Sequence, residues 1–192
     1  MSSQPVPFIT PEEYLAAERK AELRHQYING EIFLMPGNTR QHVRIVSNVD
    51  TSLNIQLEDS DCEVFPIDMR VRVNPAGDYM YTYPDLSVAC GDARFQDDQF
   101  DTLLNPKVLI EGLSPSTTAF DRGEKFRLYR QIASLAEYWM IAQDRVHVER
   151  HLRQPDGTWR LSEWTSLDDV APMPSIGAEL KLAQVYRRVK FD

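Results

Sequence analysis

Three side chains have the types and spacing for metal-assisted chemistry on a phosphate ester: Asp85, Glu111 and Lys125. Asp85 stands at the start of one β-prone run, Pro84-Asp85-Leu86-Ser87-Val88, and Glu111 near the end of another, Val108-Leu109-Ile110-Glu111-Gly112. No helical segment separates the runs, so the simplest pairing is antiparallel, with the start of one facing the end of the other. That places the two carboxylates in diagonal cross-strand contact. An acid set among Val, Leu and Ile is costly to bury alone, and a shared cation removes the penalty. Two oxygen ligands on adjacent strands suit a hard ion, Mg2+ or Mn2+. On the helix that follows Glu111, Lys125, Tyr129 and Ile132 share one stripe by i+4 and i+7 spacing, so Lys125 and Tyr129 point inward. Bound there, the metal would polarise a phosphoryl group and generate hydroxide, while the ammonium would orient water or offset developing charge.

Two further residues are accessory candidates. Glu31 shares a strand face with Phe33 and Met35 and could add a carboxylate to the metal site or stand at its rim. His42, with Arg40 and Arg44 beside it, could assist proton transfer or touch a phosphate, although a histidine on an apolar helix stripe is more often a hydrogen-bonded core residue. His147-Val148-Glu149-Arg150-His151 puts three potential ligands on one strand face, but it lacks the HExxH order and reads as a solvated face. Asp68, Arg70 and Arg72 alternate as a surface ion-pair row, and the tryptophans read as core rather than as base-stacking platforms.

The elements that must position these groups are legible in the pattern. Thr10-Pro11-Glu12-Glu13 is a capping box opening a helix to about Leu23, and Asn29-Gly30 turns a hairpin. An amphipathic helix is predicted from Arg40 to Leu57, and strands near Glu63–Phe65, Met69–Val73, Tyr83–Cys90 and Lys107–Leu113. A turn is expected at 74–78, and a long acidic connection between Cys90 and Lys107 reads as functional. A helix over Thr118–Ile132 precedes strands at Glu137–Ala142, Val146–Leu152 and Thr158–Trp164, with an irregular tail and a closing helix near Leu182–Arg188. Helices at both ends of a run of strands imply an α+β or mixed α/β fold, a single domain over 1–192.

Composition narrows the partners. Twenty-one Lys and Arg against 29 Asp and Glu give a net charge of -8, which disfavours bulk coating of polyanions but permits a local basic stripe. There is no membrane-length apolar run, and the start, MSSQPVPFITPEE, has no signal-peptide pattern, so a cytoplasmic address is expected. Cys62 and Cys90 read as buried reduced thiols.

Pro84-Asp85, then Glu111, then Lys125 resembles the PD-(D/E)XK restriction-endonuclease-like superfamily, and the fuller likeness is to its Uma family of candidate endonucleases. The similarity runs from about residue 11 to residue 188, strongest in Tyr27-Ile28-Asn29-Gly30-Glu31-Ile32, Tyr83-Pro84-Asp85 and Asn105 to Lys125. The resemblance implies a restriction-endonuclease-like core, a four-stranded mixed sheet flanked by helices, with both acids on a divalent metal and DNA as substrate. The superfamily's lysine usually stands two residues after the acid, where this chain has Leu113, so the resemblance implies that Lys125 supplies it from the helix. Gly112 stands where a β-branched residue is expected, which loosens the strand beside Glu111. A homodimer would supply two centres for two DNA strands. Two alternatives differ in class: a catalytically silent relative binding nucleic acid or a protein through the same groove, and a metal-independent two-carboxylate glycosidase.

Overall fold

The chain adopts a mixed α/β fold, and its computed structural model describes residues 8–73, 79–114 and 118–191. The turn expected at 74–78 lies outside the described residues. Thr10 caps α1 (Pro11–Glu18) in the capping box: its hydroxyl accepts from the Glu13 amide at 3.2 Å, and the Glu13 carboxylate accepts from the Thr10 amide at 2.8 Å. The helix stops before Leu23 because Glu18 is already engaged with the next element, accepting from the His25 amide at 2.8 Å. There β1 (His25–Ile28) and β2 (Glu31–Leu34) form the hairpin, with φ of 47° at Asn29 and 95° at Gly30, as a two-residue turn of primed type requires. Then comes α2 (Arg40–Gln56), capped by the Thr39 hydroxyl, which accepts from the His42 amide.

Four strands follow: β3 (Cys62–Pro66), β4 (Arg70–Val73), β5 (Met80–Thr82) and β6 (Leu86–Cys90). Pro84 has no amide to give a ladder, so Tyr83 to Asp85 lead into β6 rather than belong to it. β7 (Thr102–Leu103) precedes β8 (Val108–Leu113). The segment expected as one helix is α3 (Thr118–Phe120), a π-helical turn (Asp121–Lys125) and α4 (Phe126–Tyr129). A meander of β9 (Glu137–Ala142), β10 (Val148–Arg153) and β11 (Trp159–Trp164) comes next. The tail is ordered, contrary to expectation: Gly177 allows a tight turn between β12 (Val170–Met173) and β13 (Ala178–Lys181), and α5 (Leu182–Val185) follows.

Six strands in the order β11-β10-β9-β8-β6-β3 form the central mixed sheet, two more than the resemblance implied, with β8 and β9 parallel and every other neighbour antiparallel. A second sheet runs β2-β1-β5-β4-β7. Every residue of β8 is buried, and the two faces have different partners. Val108 and Ile110 pack with Ile45 and Val49 of α2 and with the tail hairpin; Leu109 and Leu113 pack with Leu128 and Tyr129 of α4 and with the second sheet. Covering both faces is what turns an acid in β8 into a buried acid.

Three expectations fail here for identifiable reasons. Arg70 is 2% exposed rather than part of a surface row: its Nε donates to Thr102, its Nη1 to the Tyr83 hydroxyl, and Nη2 lies 2.8 Å from Asp101. Asp68 pairs with Arg24 instead. The long acidic connection is structural, since Asp97 and Asp101 bind Arg19 of the α1 C-cap and β7 adds to β4. Cys62 and Cys90 are joined by a disulfide, because the β3–β6 register sets them directly opposite each other. Disulfides are rarer in reducing compartments, so the cysteines give no support to a cytoplasmic address. Among the described residues no helix is long and apolar enough to cross a membrane.

Candidate functional site

Leu86 pairs with Ile110, and one further step of that antiparallel register sets Asp85 opposite Glu111. The relation is direct rather than diagonal. Asp85 and Glu111 are each 5% exposed, as is Lys125, so the structure brings the three sequence candidates into one nearly closed cluster. Glu111 Oε1 accepts from the Lys125 ammonium at 2.8 Å and from the Tyr129 hydroxyl at 2.8 Å. Lys125 Nζ also lies 3.2 Å from Asp121 Oδ1. On the Asp85 side, Oδ2 accepts the Gly112 amide at 2.7 Å and Oδ1 is 2.8 Å from His42 Nε2. Both oxygens of Asp85 are therefore fixed, one by the neighbouring strand and one by α2.

The π turn explains how one short segment delivers several groups to Glu111. In an α-helix each step of four residues overshoots one full turn, so Asp121, Lys125 and Tyr129 would drift around the axis. A π turn holds more residues per turn and undershoots over the same step, so the π step from Asp121 to Lys125 offsets the α step from Lys125 to Tyr129. All three then face β8. Asp121, 2% exposed, was missed by the sequence reading; its i−4 spacing from Lys125 was the available signal.

Gly112 reverses its expected meaning. A Cβ built there would lie 2.8 Å from Cε1 and Nδ1 of His42 and 3.4 Å from Asp85 Oδ2. The glycine does not loosen the strand; it makes the room in which the imidazole reaches Asp85. Gly112→Ala is expected to cost about 1–3 kcal/mol through overpacking, a drop of roughly 2 to 12 °C in Tm. Thermal melts check this, and adding His42→Ala should recover most of the loss because it empties the space the new methyl needs.

Burial pushes the Glu111 carboxyl up to about 7; Asp85 and Asp121 add to the rise and Lys125 opposes it. Burial works against the Lys125 ammonium, but Glu111 and Asp121 outweigh it and hold the amine above its ordinary range. Lys125 thus remains a cation and a donor. His42 follows the same logic: burial opposes its charge, and the bond to Asp85 with the surrounding acids raises it.

Other sequence candidates fall elsewhere. Glu31 is exposed on β2, an edge strand of the second sheet, and is not brought to Asp85 and Glu111 of the central sheet. The hairpin twist that carries Tyr27 inward to Tyr14 and Tyr81 leaves Glu31 outside. The His147–His151 face is not solvated: Glu149 is buried and paired with Arg122, His147 pairs with Glu163 at 2.9 Å, and His151 stacks on Phe126. Trp139 is core, stacked with Trp164.

The donor set fits a hard divalent cation. Two carboxylates stand opposite each other on adjacent strands, and each Asp85 oxygen keeps a lone pair beyond its hydrogen bond.

Known proteins place the chain. Residues 11–184 match the model of the Uma2 family, described as "Putative restriction endonuclease". The Synechocystis sp. protein slr1290 is 33% identical over 189 residues, 98% of this chain and 97% of that protein. The Synechocystis sp. protein sll1609 is 34% identical over 155 residues, covering 81% and 86% respectively. A crystal structure from Anabaena variabilis, titled as a "putative nuclease belonging to DUF820", shares the fold with a TM-score of 0.74 at 22% identity, covering 93% of this chain and 97% of that one. With the family model spanning nearly the whole chain and a relative 33% identical matching almost end to end, this protein belongs to the Uma2 restriction-endonuclease family.

Proposed function

We propose that the protein is a Mg2+- or Mn2+-dependent endodeoxyribonuclease with Asp85 and Glu111 as metal ligands and Lys125 as the catalytic cation. The observation that carries the reading is two buried carboxylates set opposite each other on adjacent strands, one of them holding the Lys125 ammonium. A metal bound by Asp85 and Glu111 would supply Lewis-acid polarisation of the phosphoryl group and a hydroxide at neutral pH. The chain's own groups do the rest. Lys125, held protonated, donates to the developing negative charge rather than abstracting a proton. Tyr129 and Asp121 fix the positions of Glu111 and Lys125, and His42 with the Gly112 amide fixes Asp85.

Metal dependence separates the glycosidase alternative, which would act without a divalent ion. The catalytically silent relative binding DNA or a protein is the reading to exclude. Purified protein incubated with linear and supercoiled DNA should cut in Mg2+ or Mn2+ and stop on addition of EDTA. Equal cutting in EDTA, or none in any divalent metal, overturns the proposal. DNA as substrate, a cytoplasmic location, a single domain over the chain and a homodimer with paired centres belong to this same reading.

A further inference from the structure

Arg40, Arg44, Arg188 and Lys190 line one small surface cleft, completed by Gln41 and Val189. All four cations are exposed, and none of them is in an ion pair among the described residues. No lining residue is acidic. In a chain with 21 basic against 29 acidic residues, four unpaired cations converging on one cleft are a local exception to the overall field.

The cleft is built by the fold from two distant parts of the sequence. Arg40 and Arg44 lie one helical turn apart on α2. The closing segment is fastened to the same helix by Asn48, a buried side chain whose amide donates to the Val185 and Arg187 carbonyls, both at 2.9 Å. After α5 the backbone turns through Arg188 at φ 63°, and the Val189 amide closes on the Tyr186 carbonyl at 3.0 Å. That turn brings Arg188 and Lys190 back beside the start of α2.

His42 lies between Arg40 and Arg44 in sequence, yet its ring is buried against Asp85. Positions two apart on a helix point to nearly opposite sides, so the cleft and the acid cluster occupy opposite flanks of one turn of α2.

We propose that this cleft binds the nucleic-acid backbone, its four cations taking phosphates that flank the one at the acid cluster. The proposal rests on the nuclease reading for its second half, whereas backbone binding stands apart from cleavage. It supplies the affinity that the negatively charged body and the small exposed area of the cluster do not.

The test is fluorescence anisotropy of a labelled 20-bp duplex in EDTA, titrated with the full chain from 50 to 200 mM salt. Wild type is compared with the R40Q/R44Q/R188Q/K190Q variant and with R44E alone, each checked by circular dichroism and thermal melting. Neutralising four phosphate contacts should lower affinity at least about 30-fold at low salt and reduce the salt slope by roughly 3 to 4. R44E alone should show a smaller loss in the same direction, which keeps the test sound if the quadruple variant misfolds. Unchanged affinity and slope in folded variants overturn the cleft while leaving the nuclease reading intact. Binding that depends on these residues, with no cutting in any metal, supports the cleft and removes the nuclease reading. Absence of wild-type binding to the duplex, or stronger binding to vesicles rich in phosphatidylserine, overturns backbone binding.

Discussion

Asp85→Asn is expected to lower metal-dependent DNA cleavage about 10²- to 10³-fold or more while leaving the fold nearly intact. The substitution separates charge from shape. Asn keeps an oxygen to accept the Gly112 amide, and its NH2 can donate to His42 Nε2 when the histidine carries its proton on Nδ1, so both contacts of Asp85 survive. What disappears is the negative charge that would hold the cation. Asp85→Ala should lose as much activity but also destabilise by about 1–3 kcal/mol, because it strands the buried Gly112 amide. Single-turnover cleavage at saturating Mn2+ and urea denaturation in EDTA, run on both variants, separate the two effects. Wild-type turnover by Asp85→Asn would remove Asp85 from the chemistry. Glu111→Gln should match the loss of cleavage, since it keeps an acceptor for Lys125 and Tyr129 but not the charge.

How far the sequence could carry this reading depends on the range of each interaction. Asp85 and Glu111 were legible because the two runs that bear them pair as neighbouring strands without a crossover, and alternation along β8 fixes the face of Glu111. Lys125 with Tyr129 was legible from helical spacing. The π turn was not: its extra residue leaves no periodic mark in five residues, and so Asp121 was overlooked. His42 was read as an accessory group or a hydrogen-bonded core histidine; it is buried, and its hydrogen-bond partner through Nε2 is Asp85. That contact joins residues 43 apart and needs the missing side chain of Gly112, a coincidence no local pattern encodes. Arg70 was misread for a similar reason. Alternation with Arg72 placed it on a face, but only the second sheet and Asp101 make that face an interior. The disulfide likewise follows from the register of β3 on β6, which spacing in the chain does not reveal.

Lys125→Met should destabilise the chain by about 3–5 kcal/mol, roughly 6 to 20 °C in Tm. The methionine fills the space of the lysine stem, so the loss is electrostatic: Glu111 and Asp121 are left as buried acids without the cation that lies 2.8 and 3.2 Å from them. The deficit has a pH sign. Glu111 in the wild type has its folded value raised from an ordinary carboxylate to about 7, so its ionisation opposes folding as pH rises through that range. Removing Lys125 takes away the cation that lowers it, which pushes the value higher still and extends the window upward. Urea midpoints in EDTA should therefore show a small gap between wild type and variant near pH 5, where Glu111 is protonated in both, and a gap widening through pH 8. Glu111→Gln added to Lys125→Met should close much of the gap at pH 8 and little at pH 5, a coupling that identifies the pair rather than the packing. A deficit of the same size at both pH values would mean that the lysine acts through its stem, and its place as the cation of the site would fall with that result.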